Sequence, residues 1–453
     1  MALIKNPLSG GGGGASLDIL NGIIKQYKAS HGVIDANTFV EFVNSGPASS
    51  GTDTQLSSSS RSYMNSAVLL PNGDVFVAHS GDGTQYQLYG VIVSLAGGQI
   101  TVGTATQLSN ESYSGYTISC VLLDNGDVFI AHSYTNSFYL YGIIVSISGT
   151  TITAGSDTRL ISDSSNGLRI SAVLLDNGDV FIAHSKNSSA SYLAGIVVSI
   201  SGTTITAGTD SQYGTINYTG YSFSTVLLPS GNVFIAHGSN DRYLHGVVAI
   251  VSGTTVSWGT GVTLDPVSLN SSDPDISAVL LTSGDVFVAY DGSYPSQNKL
   301  FGVVVEVSGS TVKPAIATQL SDVANSGNNA TAVLLNSGDV FVTHKGPYED
   351  TSVLYGMVVT VKGTSPIPGS DNMLSDAYFS DNYCSLTRLD NEKVFISHGG
   401  GASPYYLFGM IVDLSDVHRL ISATDAQGIG GLTAGSMTDS IAGDVWVLDT
   451  SES

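Results

Sequence analysis

The chain has 453 residues, of which 11% are charged, and 37 acidic against 15 basic side chains give a net charge of −22. Such a surface repels polyphosphate, which excludes nucleic acid as a ligand, and no apolar run reaches the roughly 18 residues that a membrane helix needs. The opening MALIKNPLSGGGGG carries a positive charge but no apolar stretch of the length an export signal requires.

Residues 1–14 read as an extended arm ending in five consecutive glycines, a flexible joint. In residues 15–37, the segment ASLDILNGIIKQYKAS sets Leu17, Leu20, Ile23, Ile24 and Tyr27 at helical spacing. This predicts a short amphipathic helix, whose apolar face is offered to the rim of the next domain or to a larger partner.

From 38 to 415 the chain repeats itself. VLLDNGDVFIAHSYTNSFYLYGIIVSISG (Val121 to Gly149) recurs in variant form six more times, with one glycine ruler at Gly90, Gly142, Gly195, Gly246, Gly302, Gly356 and Gly409. A second ruler, the histidine ending VFIAH, falls at His79, His132, His184, His237, His344 and His398, with Tyr290 in the fifth copy. Two rulers agree on seven units of about 53 residues, a period that means a solenoid or a propeller.

Each unit reads as four strands: SCVLL, a turn at Asn125-Gly126 with positive φ angles, DVFIAH, a variable polar loop, YGIIVSI, a turn at Ser148-Gly149, and TTITAG. The second and third strands are apolar almost throughout, so both faces of each sheet are buried. The fold class is therefore all-β, a seven-bladed β-propeller with four-stranded blades; a β-helix, with shorter rungs, is the runner-up. The seventh unit stops after MIVDLS without a fourth strand, whereas Gly51 to Leu56 (GTDTQL) matches that strand's end elsewhere. The start of the ring is thus expected to complete its last blade, with the strand Thr38 to Asn44 taking part. Residues 416–453 form a Gly/Ser/Thr-rich β extension with one clear strand, DVWVLD, and HRLIS at His418 to Ser422 echoes TRLIS at Thr158 to Ser162.

Cys120 and Cys384 lie in units separated by one blade, too far apart for a disulfide, and read as buried small side chains. The equivalent histidines are held about 10 Å apart by the blades, so they share no metal and are read as structural hydrogen bonders. No cofactor motif is present.

One face of the ring carries the short turns; the other carries two loops per unit that differ in every copy. Those loops hold Tyr113, Tyr116, Tyr134, Tyr213, Asn217, Tyr218, Tyr221, Arg242, Tyr294, Tyr348, Tyr378 and Tyr383 among Ser, Asn, Asp and Gly. A constant scaffold presenting Tyr, Ser and Asn on variable loops has the composition of a recognition surface, and aromatic planes beside amides and carboxylates suit sugars. The acidic pairs Asp273 with Asp275 and Glu349 with Asp350 are weighed as a calcium or glycosidase pair and read as solvated loop charges. No nucleophile elbow, zincin helix or phosphate loop occurs, so the chain is read as a non-enzyme.

The repeats resemble propeller repeats but lack the paired glycines and tryptophan of kelch, the Trp-Asp ending of the WD type and the sialidase Ser-x-Asp-x-Gly-x-Thr-Trp turn. The flanks, an amphipathic start leading into DANTFVEFVN and the tail GIGGLTAGSMTDSIAGDVWVLD, resemble bacteriophage virion proteins of tail-fibre or head-fibre kind. The resemblance implies a virion protein held to other virion proteins by its N-terminal arm and helix, compatible with a homo-oligomer, whose loop face binds a host surface glycan. A structural decoration protein without ligand and a glycan-cleaving virion enzyme are the alternatives.

Overall fold

The computed structural model describes residues 23–27, 40–44, most of 49–414, 418–422 and 445–449. The chain divides into two units, Ala48–Leu414 and a second that gathers Met1–Pro47 with Ser415–Ser453.

The larger unit is the propeller. Among the described residues, seven antiparallel sheets follow one another, each running from an inner first strand to an outer fourth. In the second blade these are Ile118–Leu122, Val128–Tyr134, Tyr139–Ser148 and Thr151–Ala154. The outer strand is interrupted at Gly155, whose N–H still donates to Ile144, and resumes at Thr158–Arg159 against the same third strand.

A single packing event explains the glycine ruler. The middle phenylalanine of each second strand, Phe129 here, is fully buried, and a Cβ on Gly142 would meet its ring at 2.8 Å. The same conflict arises between Phe76 and Gly90, Phe181 and Gly195, and Phe287 and Gly302. Large and small residues thus interlock within each sheet, while Val180, Ile182, Ile196 and Val198 of the third blade cover Phe129 and Leu140 of the second.

The turns differ in kind from the sequence expectation. Only Gly126 has a positive φ, at 87°, and not Asn125. Gly126 N–H donates to Leu123 O and Leu123 N–H to Asp127 O, a three-residue loop with a glycine bulge. Asn125 serves through its side chain, accepting from Asp127 N–H at 3.0 Å.

The first strands clasp one another around the central channel. Ser66 Oγ accepts from Cys120 N–H, Ser119 from Ala172, Ser171 from Thr225, Ser224 from Ala278, and Ser277 from Ala332. Thr331 Oγ1 donates instead to Cys384 O, and Ser385 closes the ring by accepting from Ala67 N–H.

Closure is borne out with one correction. Ser49–Ser50 and Thr54–Ser57 pair with Tyr406–Asp413, so the start of the unit supplies the outer strand of blade 7. The strand expected to share in this, Thr38 to Asn44, does not: Val40–Asn44 pairs with His418–Ser422 in a separate two-stranded sheet of the smaller unit. The N-terminal helix is corrected too. Ile23–Tyr27 is a strand, antiparallel to Val445–Asp449, because the β-branched Ile23 and Ile24, in register with Asp449 and Leu448, favour extended backbone that is satisfied across the pair. The rest of the segment 15–30 lies outside the described residues. No helix among the described residues is long and apolar enough to cross a membrane.

Candidate functional site

Where the seven first strands begin, at the ends reached from the variable loops, a cavity of about 250 Å³ opens over the channel. Its lining includes Asn65, Thr117, Arg169, Ser222, Asp275 and Asn329. The blade symmetry makes Met64, Thr117, Arg169, Ser222, Asp275, Asn329 and Tyr383 equivalent: each precedes the residue that pairs with the last position of VFIAH, except Asn329, which stands two residues before the Thr331 that pairs with Thr343 and so holds the same register. Two residues further along stands the Ser or Thr of the interblade clasp. A near-constant ring therefore lies just beneath a ring in which no residue type recurs. Arg169 is the cation and Asp275 the anion among the described lining residues.

Asp275 is held firmly. Its Oδ2 accepts from Asn329 N–H at 2.5 Å, and its own N–H donates to Asp291 Oδ1 at 3.2 Å. Asn329 presents that N–H from a left-handed backbone with φ 58°, which asparagine tolerates. The loop on the other side of the channel is built alike. Ser114 Oγ accepts from Leu88 N–H and Ser326 Oγ from Leu300 N–H, fixing the two loops that lead to Thr117 and Asn329.

Below the mouth, the ends of the second strands are tied by carboxylates. His132 Nε2 donates to Asp157 Oδ1 at 2.9 Å, while Ser109 Oγ from the preceding blade donates to Oδ2 at 2.5 Å. The pattern repeats with His344, Asp371 and Ser321, and with His398, Asp53 and Ser375 across the closing seam. In blade 3, Ile161 stands where the serine would be, and Lys186 Nζ takes the second oxygen of Asp210 at 2.6 Å. Blade 5 changes all three members together: Tyr290 replaces the histidine, Ala317 the aspartate, and Asp265 of blade 4 receives the tyrosine hydroxyl. In blades 2, 6 and 7 the histidine thus orients an aspartate that ties its blade to the serine of the one before. Where the aspartate is missing, at Ala105 and Gly261, burial pulls His79 and His237 down to about 4, partly opposed by their backbone hydrogen bonds. No group of three metal-ligating side chains occurs among the described residues.

The expected site residues fall in different places. Tyr116, 40% exposed, directly precedes the cavity-lining Thr117, and Tyr113 stacks obliquely on Tyr86 with a φ of 66°. Tyr213 packs at the blade 3–4 seam against Trp258 and edge-on to His237. Its hydroxyl fills the space left by Gly261. Arg242 is exposed at φ 63°, and its carbonyl accepts from Leu269 N–H. Tyr134, Tyr348 and Tyr383 belong to strands of blades 2, 6 and 7. Asn217, Tyr218, Tyr221, Tyr294 and Tyr378, with Asp273, Glu349 and Asp350, lie outside the described residues. Sequence reasoning reached Asp275 only as a loop charge and missed Arg169, Asn65 and Asn329. The available signal was the misfit of these residues against their counterparts in aligned repeats.

No family model matches the sequence, and no curated protein does either. Among solved structures, the chain is similar to a protein of unknown function from Dyadobacter fermentans, at 13% identity and TM-score 0.49 over 81% of this chain and 99% of that one. It is also similar to the NanB sialidase from Streptococcus pneumoniae, at 12% identity and TM-score 0.47 over 82% and 71%. A third is an ulvan lyase of a polysaccharide lyase family, at 8% identity and TM-score 0.49 over 83% and 98%. These likenesses are of fold and bring no residue roles with them.

They do correct the expectation of a non-enzyme, because the similar structures include a sialidase and a polysaccharide lyase. The physical reason the motif search excluded nothing lies in the mouth itself. Its polar residues come singly from different repeats, so no contiguous motif announces a site assembled there.

Proposed function

We propose that the propeller is a glycan-processing protein that receives a sugar chain end at the channel mouth. The observation that carries this reading is the contrast between two adjacent rings. Packing demands the same residue at every blade, as the clasp serines obey, so dissimilar polar residues one layer above answer to something that is not seven-fold symmetric. A bound ligand is such a thing. A cavity of this size, with a few convergent polar groups, fits one or two sugar rings. Asp275 supplies a carboxylate to accept from hydroxyls and exchange a proton with a glycosidic oxygen, Arg169 pairs with an acidic substituent, and Tyr116 offers an aromatic plane at the rim. From the flanks, and from them alone, we further infer carriage on a phage particle with the loop face turned to host glycans.

The experiment is a glycan array followed by mass spectrometry of the bound sugars after incubation, with Asp275→Asn and Arg169→Gln beside the parent. Binding and shortened products with the parent, both lost in the variants at unchanged melting temperature, are expected. A parent that retains no glycan, or variants that behave as the parent, would overturn the reading.

A further inference from the structure

Two loops of the variable face are anchored alike and carry different side chains. Residues 109–117 lead into blade 2 and residues 321–329 into blade 6, equal in length and each with a Ser-Gly pair, Ser114-Gly115 and Ser326-Gly327. Ser109 Oγ accepts from Glu111 N–H and Ser321 Oγ from Val323 N–H at the start of each loop. Further on, Ser114 Oγ accepts from Leu88 N–H at 2.9 Å and Ser326 Oγ from Leu300 N–H at 3.2 Å. A Cβ on Gly115 would meet Gln87 O and Tyr86 O at 2.9 Å, and one on Gly327 would meet Lys299 O at 2.8 Å. Each loop is therefore clamped, through a glycine, onto the third strand of the blade before it.

What the clamps present is not the same. At the blade 5–6 seam stand Asn298 and Asn328, with Asn298 Nδ2 donating to Asn328 Oδ1 at 3.2 Å; at the blade 1–2 seam the matching residues are Tyr86 and Tyr116. Tyr86 packs on Tyr113 with ring centroids 6.0 Å apart and planes tilted by 38°. Both tyrosines hold left-handed backbones, at φ 42° and 66°, a conformation that bulky side chains seldom adopt and that clusters at ligand-holding sites. Gly115 N–H, donating to Tyr86 O at 2.7 Å, fastens the two segments that carry them. Tyr116 is exposed and directly precedes Thr117 of the cavity lining, so this group of tyrosines adjoins the mouth.

Resting on the glycan reading above, we infer that Tyr86 and Tyr113 form a second sugar subsite, an aromatic platform beside the mouth that stacks the C–H face of a further ring of the same glycan. The chain end occupies the mouth, and the rings that follow lie against the tyrosines, so the protein recognises a chain of several rings and not a terminal sugar alone. The electron-rich face of a tyrosine attracts the slightly positive C–H groups of a pyranose. Because the clamp fixes both rings before the ligand arrives, little ordering remains to be done on binding.

The blade 5–6 loop supplies the test. Affinity of the full chain for disaccharides and hexasaccharides of glucose, galactose and glucuronate is measured by calorimetry. For the sugar that the parent binds, the hexasaccharide should be favoured by about tenfold, the worth of one further stacked ring. Tyr86→Asn and Tyr113→Asn install the residues of the matching positions, Asn298 and Asn325, and asparagine accepts a left-handed backbone, so both variants are expected to fold. In each, the preference for the longer probe should disappear, whereas Tyr113→Phe, which keeps the aromatic plane, should retain it. A purely structural role would weaken both probes together and leave their ratio unmoved. Should an asparagine variant melt below the parent, spectra of isotope-labelled tyrosine in the parent decide: the Tyr86 and Tyr113 ring signals should move with the hexasaccharide and stay still with the disaccharide. A parent that binds both lengths alike, folded variants that keep the preference, or ring signals unmoved by the hexasaccharide overturns this inference and leaves the glycan reading standing. A parent that binds none of the probes removes both.

Discussion

Asp53→Ala removes the carboxylate on which blades 6 and 7 meet. Asp53 stands near the start of the ring yet accepts from His398 Nε2 at 2.9 Å and from Ser375 Oγ, residues near its end. His398 is 1% exposed and Ser375 6%, so the truncation strands two buried donors. Hydrogen bonds to a charged group contribute about 1.5–3 kcal/mol, and a stranded donor costs about as much again; the net loss is about 3 kcal/mol. With an unfolding entropy of about 2.1 cal/mol/K per residue, that lowers the melting temperature of the propeller unit by about 4 °C. Burial pushes the Asp53 carboxyl up, but the His398 hydrogen bond and charge, with Ser375, outweigh it and leave the group below its ordinary range. A depressed carboxylate stabilises above its unfolded pKa of about 4 and ceases to as pH falls through the folded value. The mutant's deficit should therefore shrink in acid. Adding His398→Phe should recover part of the loss, because no polar ring then remains to satisfy. Urea melts at pH 7 and pH 3 check this; a loss under about 1 kcal/mol at pH 7, or a double mutant no better than Asp53→Ala, would refute the account of how the ring is tied.

His79, held at about 4 by burial, binds its proton more weakly folded than unfolded, so stability is complete above about pH 6.5 and falls towards pH 4 by about 3 kcal/mol. His79→Phe, which keeps the stacking on Tyr89, should flatten that stretch of the pH–stability curve; a slope equal to the parent's contradicts the assignment. Glu392 holds a positive φ of 55° where the other blades place glycine, and Glu392→Gly should raise stability by about 1 kcal/mol, read as a later urea midpoint. Residues 48–414 expressed alone should form a cooperatively melting ring, because the closing strands Ser49–Ser50 and Thr54–Ser57 are included. Starting instead at residue 60 deletes both and should produce an aggregating protein, and equal behaviour of the two fragments in gel filtration would count against closure by these strands.

The blade and the number of blades were legible in the amino-acid order. Burial on both faces of Val128–Tyr134 and Tyr139–Ser148 demands an unbroken apolar run, and the ring of Phe129 demands a glycine at 142; both demands recur seven times as local text. It also revealed that GTDTQL completes the last blade, since that string obeys the same local pattern. Tertiary structure alone decided matters that join distant residues. Ile23–Tyr27 has the spacing of a helix, but Val445–Asp449 lies beside it and satisfies its backbone as a strand. Tyr213 looks like a loop tip until Gly261, in the next blade, is seen to leave a space for its hydroxyl. Arg169 and Asn329 are unremarked polar residues and Asp275 reads as a loop charge, in three separate repeats, and only closure of the ring turns them towards one cavity. Periodicity records what each strand must bury, whereas a site drawn one residue at a time from different blades exists only once the first strands have met around the channel.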